Sequence, residues 1–297
     1  MSAAPSWDLY RTFLAILEEG SLSGAARALG LTQPTIARHL DALEASLGLE
    51  LFVRSQQGLS PTEAAMELRP HAEMLAATTS ALLRTASGHG SEVRGAVRLS
   101  ASEVIGVEVL PAILAELRRV HPALTFELVL SNAVDNLLRR DADIAIRMVE
   151  PAHEALVVQR IGEITVGLYA RRDYLERHGT PESLADLRAH SIIGFDQETP
   201  AIRSMKLRVP EFDTGHFAFR ADSDLAQMAA MRAGFGIGGC QVPIARREPE
   251  LVRLLPDAFA LKLGVWVVMH ENLRSTPRYR AVFDALVAGM RKHAEQR

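Results

Sequence analysis

The stretch GSLSGAARALGLTQPTIARHLDALEASLGLELFVR, residues 20 to 54, restricts the fold more than any other part of the chain. It reads as a short helix, a tight turn, a second helix and a β-wing, the arrangement that presents a helix to the DNA major groove. Ser23 is placed to cap a helix through Ala25, Ala26 and Leu29, and Gly30 falls where a left-handed residue closes it. After a short turn Thr32 can cap the second helix, whose first turn tolerates Pro34. Ile36, Leu40, Leu43 and Leu47 then form one apolar stripe at helical spacing. The opposite face carries Pro34, Thr35, Arg38, Asp41 and Ala42, with Gln33 at the exposed start. A pair of helices serving only a core has no need of Gln, Thr and Arg grouped at one helix start. Those side chains match base edges: Gln pairs with adenine, Arg with guanine, and Thr touches the thymine methyl. The helix N-terminus and nearby hydroxyls suit phosphate.

The stretch Trp7 to Thr62, followed by a long helix and an α/β region, resembles a LysR-type transcriptional regulator. The matching residues are Phe13, Leu14, Ser21, Ala25, Ala26, Leu29, Thr32-Gln33-Pro34, Leu40, Leu43-Glu44, Leu47-Gly48, Leu51-Phe52, Arg54 and Thr62. The resemblance runs over essentially the whole chain. It implies that the second helix is the recognition helix, with Gln33, Thr35 and Arg38 at base-reading positions and Arg54 on the wing near phosphate. The expected DNA-binding set is Ser23, Thr32, Gln33, Pro34, Thr35, Arg38 and Arg54, and the expected partner is double-stranded promoter DNA.

One property departs from that pattern. Residues 1 to 62 hold four basic side chains (Arg11, Arg27, Arg38, Arg54) against six acidic ones (Asp8, Glu18, Glu19, Asp41, Glu44, Glu50), a net charge of −2. Phosphate neutralisation supplies most non-specific affinity. A head of this charge should bind weakly alone and gain affinity from several heads acting together.

With 297 residues the chain accommodates a small domain and a larger one with its own core. Its net charge of −3 excludes an extended basic tail. No apolar run approaches the ~18 residues that span a bilayer, and the first residues lack a secretory pattern. Cys240 is the only cysteine, so no intrachain disulfide is possible and a reducing cytoplasm is the expected setting. A redox role for Cys240 is conceivable, but a small core residue is the simpler reading.

Thr62 can cap a helix running to about Ala86 with Glu63 in its first turn. Leu68, Leu75 and Leu82 recur every seven residues, followed at four by Ala72, Thr79 and Ala86, a narrow seam suited to a second copy of the helix. Packing on its own domain is the alternative. Pro70 should bend this helix near its start. The sequence SGHGSE, residues 87 to 92, reads as a hinge. A paired connector gives a symmetric homodimer and an inverted-repeat operator; the family resemblance implies further assembly into a homotetramer.

Beyond Glu92, short apolar strands alternate with helices, the pattern of a parallel sheet with covered faces. The expected strands are Val97–Leu99, 126–130, 143–147, 164–169, 192–195, 217–219 and 265–269. The expected helices run from Val104 through Leu117, over 133–139, near Tyr174, over 223–232 and from Pro277 onward. The family resemblance implies a type II periplasmic-binding-protein-like effector domain of two α/β lobes. The expected division is 1–62 for the winged helix-turn-helix, 63–91 for the linker and 92–297 for the effector domain. Lobe I would span about 92–162 and 265–297, and lobe II about 163–264, with crossings near Arg160 to Glu163 and Leu261 to Gly264.

Ligands of open α/β sheets sit beyond the carboxyl ends of strands. Those places hold Ser100, Ala101, Ser102, Glu103, Ser131, Asn132, Arg147, Gln197, Thr199, Asp222 and Ser223. Hydroxyls and helix-start amides favour an anion, and Arg147 can pair with a carboxylate, so a small carboxylate-containing effector is expected. Glu103 and Asp222 leave room for a zwitterion. Each of these residues could equally be a helix cap or a surface ion-pair partner.

Other signals carry less. Gly234, Gly236 and Gly239 spell G-x-G-x-x-G, but they follow a predicted helix and lead toward a strand, the reverse of a dinucleotide fingerprint. The ten histidines show no metal-ligand spacing and no nucleophile elbow occurs, so no metal, cofactor or catalytic site is expected. The arginine pairs at 118–119, 139–140, 171–172 and 246–247 read as solvated faces or helix C-termini, not as a nucleic-acid stripe. A solute-binding protein or enzyme on the same lobes, with the N-terminal helices used only for dimerisation, is the competing reading. The missing signal sequence and catalytic constellation count against it.

Overall fold

The computed structural model describes residues 4–55, 58–87, 92–132, 142–150, 156–198 and 214–296. These fall into two compact units, one within residues 1–89 and the other within 90–297.

The first unit is helical with a two-stranded wing. Helices α1 (Trp7–Glu19), α2 (Leu22–Leu29) and α3 (Gln33–Leu47) precede β1 (Phe52–Ser55), β2 (Gly58–Pro61) and the long α4 (Glu63–Ser87). The α3 stripe is buried as its spacing requires: Ile36, Leu40 and Leu43 join Phe13 and Ile16 of α1, Ala25 and Ala26 of α2, and Leu51 in one core. Alanines at the α2 contact let the helices approach closely. Gly30 closes α2 at φ +66°, in the left-handed region that a side chain disfavours. The cap at the other end differs from expectation. Ser21, not Ser23, accepts the Gly24 amide at 3.1 Å, and Ser23 lies exposed inside the helix. The wing pairs antiparallel from Phe52↔Pro61 to Ser55↔Gly58. The Leu59 amide donates to the Gly20 carbonyl at 3.1 Å, which fixes the wing to the α1–α2 turn.

Thr62 caps α4 by accepting the Ala65 amide at 3.2 Å, and the helix continues through Pro70. Its N-terminal part is docked: Ala65, Leu68 and Ala72 pack on the head core. Leu68 is thus engaged within its own chain, whereas Leu75 is 45% and Leu82 66% exposed.

The second unit is α/β. A mixed sheet has the order β10 (Leu251–Leu254), β6 (Leu156–Arg171), β11 (Leu261–His270), β5 (Ile144–Arg147), β3 (Gly95–Ala101), β4 (Leu124–Leu130), and β9 (Gly238–Gln241) also pairs with β6. A separate pair joins β7 (Ile192–Gly194) to β8 (Phe217–Arg220). The parallel pairing expected from the alternation holds for β3 with β4 and β5, and for β7 with β8. The long β6 and β11 instead run antiparallel over ten partner positions, with one register shift at Val265/Trp266.

Helices α5 (Glu103–Glu108), α6 (Leu110–Val120), α7 (Arg172–His178), α8 (Asp224–Arg232), α9 (Val242–Ala245) and α10 (Pro277–Ala294) complete the unit. One helix was expected from Val104 through Leu117. It breaks at Val109, because Pro111 has no amide to continue the ladder and begins a new first turn. The expected helix over 133–139 lies outside the described residues. Val97, Leu99, Ile105, Val265, Val267, Tyr279, Val282 and Leu286 lie in the main core. A second cluster gathers Leu168, Tyr174, Leu187, Ile192 and Ile237.

Candidate nucleic-acid interface and effector site

The polar side of α3 is bare. Thr32 caps the helix through the Thr35 amide, and its hydroxyl lies 2.9 Å from that of Thr35. Gln33, Pro34, Arg38, Asp41 and Ala42 are exposed, and Thr35 is half-buried. Buried Ile36 and Leu43 on the reverse side fix which face points outward. Two contacts brace α3. The hydroxyl of buried Thr12 lies 2.8 Å from His39 Nδ1. Glu44 Oε1 accepts the Leu51 amide at 2.6 Å and the Phe52 amide at 3.3 Å. Neither was read from the sequence, since each joins residues whose proximity follows only from the tertiary fold or the wing. Arg54 belongs to β1, within the wing ladder.

In the α/β unit the anticipated residues fall into three sets. The first is centred on Arg147, which is 94% buried at the end of β5. Its Nη2 donates to Ser100 Oγ at 2.9 Å and its Nη1 to the Ile146 carbonyl at 3.2 Å. Its Nε is buried and has no partner among the described residues. Burial lowers the affinity of this guanidinium for its proton. Among the described residues no carboxylate forms an ion pair with this cation.

The second set joins Glu103, Asn132 and Ser223. Glu103 Oε2 accepts from Ser223 Oγ at 2.8 Å and from the Leu225 amide at 3.4 Å. Asn132 Oδ1 accepts the Glu103 amide at 3.1 Å, and its Nδ2 donates to Asp224 Oδ2 at 2.9 Å. Asp224 was not anticipated. Burial first, then the nearby Glu103 charge, raise its pKa against the Asn132 hydrogen bond.

In the third set Asp222 Oδ1 accepts the Asp196 amide at 3.1 Å and the Gln197 amide at 2.8 Å, fixing the loop after β7. Ala101 is wholly buried and contributes its carbonyl, which accepts the Ser131 amide at 2.9 Å. Ser102 stands before α5 without a side-chain cap bond. Thr199 lies outside the described residues.

The remaining signals resolve structurally. Gly234 and Gly236 lie between α8 and β9. A side chain on Gly236 would collide with the Ser191 carbonyl, so this glycine serves a close backbone crossing. Cys240 is buried, and that burial pushes its thiol up to about 12, which suppresses the reactive thiolate. Among the described residues no His/Cys/Asp/Glu group could hold a metal, and no helix is long and apolar enough to cross a membrane.

A winged helix-turn-helix with an exposed polar helix face, followed by a long helix and an α/β unit, defines a ligand-responsive transcription regulator. Residues 7–66 match the family "Bacterial regulatory helix-turn-helix protein, lysR family", and residues 90–291 match "LysR substrate binding domain". The chain belongs to the LysR family of transcriptional regulators. It is 25% identical over 283 residues to the probable HTH-type transcriptional regulator LtrA of Klebsiella pneumoniae, covering 92% of this chain and 91% of the relative. A probable hydrogen peroxide-inducible genes activator of Mycobacterium avium is 30% identical over 223 residues, covering 75% of this chain and 67% of that protein. Among solved structures, full-length CbnR in complex with its target DNA has a TM-score of 0.66 at 20% identity, covering 97% of this chain and all of that one. These relatives are regulators, not solute-binding proteins or enzymes.

Proposed function

We propose that this regulator binds promoter DNA through α3 as a symmetric homodimer, paired into a tetramer, in the cytoplasm, and that a small carboxylate-containing effector at Arg147 sets its output. The observation that carries the DNA reading is the division of α3, with Ile36, Leu40 and Leu43 buried on one side and Gln33, Pro34 and Arg38 exposed on the other. Gln33, Thr35 and Arg38 read base edges, Ser23, Thr32 and Pro34 approach the backbone, and Arg54 on the wing meets phosphate. No catalytic role is assigned to any residue.

Dimerisation uses the exposed part of α4. Leu75, Leu82 and Leu83 are 45%, 66% and 68% exposed, and Tyr10, Leu47, Leu68 and Leu75 line an apolar hollow beside this helix. Covering that surface with a second copy places two recognition helices in one assembly, which compensates for the acidic head. In the α/β unit, the Nε of Arg147, which has no partner among the described residues, and the helix starts near Ser100 to Glu103 and Ser223 favour an anionic group. The effector acts only in so far as it binds one arrangement of the lobes better than the other.

A gel shift with the intergenic DNA beside the coding region tests the first half. Specific retardation by the wild type that is lost in Arg38→Ala, with the dimer intact by light scattering, supports it; equal binding by both sinks it. A thermal-shift screen of metabolites, repeated on Arg147→Ala, tests the second. Carboxylates that stabilise the wild type and leave the variant unmoved support it, and a response shared by both removes Arg147 from the site.

A further inference from the structure

The N-terminus of α8 is capped by a side chain from 120 positions earlier. Ser223 Oγ accepts the Ala226 amide at 3.4 Å and donates to Glu103 Oε2 at 2.8 Å; the same carboxylate oxygen takes the Leu225 amide at 3.4 Å. Glu103 opens α5, and Asn132 completes the ring by bonding both the Glu103 amide and the Asp224 carboxylate. At their far ends the two helices meet again, where Arg232 of α8 donates to Glu108 of α5 at 2.8 Å. The helices therefore lie side by side and parallel, and Glu103 sits as the counter-charge at the positive end of α8. A carboxylate in this position is what a helix start attracts from solution. Here the chain supplies it.

We infer that Glu103 is an internal stand-in for the anionic group of the effector: it clasps the start of α5 to the start of α8, and the effector's anion displaces it and frees that end of the pair. The inference rests on the carboxylate reading of this site proposed above. Arg147 Nη2 donates to Ser100 in β3, three residues before Glu103, so that bond ties Arg147, whose Nε has no partner among the described residues, to the segment that carries the clasp. The exchange replaces one carboxylate by another, so Asp224 keeps the same neighbouring charge. A neutral ligand would leave the α8 amides unanswered. An anion with no further contacts competes poorly, because Glu103 is tethered and its effective concentration is high.

The test is hydrogen–deuterium exchange at the first-turn amides of α8 in the full-length protein, with formate as the probe and chloride at matched ionic strength as the control. In Glu103→Ala these amides should exchange roughly tenfold faster than in the wild type, as expected for loss of a cap. Formate should restore their protection in the variant and leave the wild type unchanged. If Glu103→Ala does not fold, Glu103→Gln carries the test, with weaker protection than wild type and a formate response the wild type lacks. Unchanged exchange in the variants, or equal formate protection of wild type and variant, overturns the inference. Formate rescue of Glu103→Ala alongside an unaltered carboxylate response in Arg147→Ala overturns the displacement step, because the effector then binds elsewhere.

Discussion

Glu44 sits on the recognition helix, yet its carboxylate holds the start of the wing: Oε1 accepts the amide of wholly buried Leu51 at 2.6 Å. It also takes the Phe52 amide at 3.3 Å, so one side chain fixes the angle between α3 and the wing. Glu44→Ala leaves two buried donors without an acceptor and should destabilise the head by about 1–3 kcal/mol. Glu44→Gln, which retains an acceptor oxygen, should lose less. Chemical denaturation of the two variants checks the order, and specific DNA affinity should fall in the same order.

Arg38 is exposed on α3, one turn after the Thr32–Thr35 cap. Arg38→Ala should cost specific binding about 1–3 kcal/mol and relax preference at one base-pair position. The net charge of −2 over residues 1–62 also sets the salt response. Per head, log affinity should fall only shallowly with log salt, and random DNA should be retained weakly. Titrations at several ionic strengths measure the slope; steep dependence for a single head would contradict the charge argument.

Arg147 is buried with Nε unpartnered among the described residues. Replacing a poorly compensated buried cation by an apolar side chain of similar length is often neutral or stabilising. Arg147→Met should therefore melt at the same temperature as the wild type or higher, while losing the response to carboxylates. Calorimetry with and without a responsive metabolite separates the two effects.

His293 is buried on α10, with Nδ1 3.0 Å from Arg247 Nη2 and Nε2 3.2 Å from Gln241 Oε1. Arginine can only donate, so Nδ1 accepts and the ring is neutral with its proton on Nε2. Burial, then the Arg247 charge, push its pKa down from 6.5 to about 4. Between those values the unfolded chain binds a proton that the folded chain refuses, so stability falls as pH drops through that window. The full effect is about 3 kcal/mol at about 1.4 kcal/mol per pH unit. His293→Gln should show a flatter decline in stability from pH 7 to 4, whatever its stability at neutral pH.

The elements most legible in the sequence were those fixed by neighbours a few residues away. Helix α3 announced itself through the Thr32 cap, Pro34 in the first turn and the buried stripe from Ile36 to Leu43. The cap of α2 is expected at Ser23, and only the backbone path places it at Ser21, which reaches the Gly24 amide and whose carbonyl accepts from Ala25. Strand β10 is not legible, because Leu251–Leu254 is too short to show alternation, and the strand to which the glycines lead, β9, shows no bounds of its own in Gly238-Gly239-Cys240-Gln241. The effector side was legible one residue at a time, as strand ends and helix starts. The pairing of Glu103 with Ser223 was not, because that contact exists only once α5 lies beside α8.

Strands β6 and β11 cross the α/β unit as one continuous ladder, from Leu156↔His270 to Val166↔Leu261, with a single shift at Val265/Trp266. A ribbon bonded along its whole length resists bending within its own plane but yields to torsion, and an extra residue at a bulge sharpens its local coil. Ile161 is the residue that the ladder skips, between Gly162↔Val265 and Arg160↔Trp266, so the extra twist of this ribbon is concentrated at that one point and the rest of it stays regular.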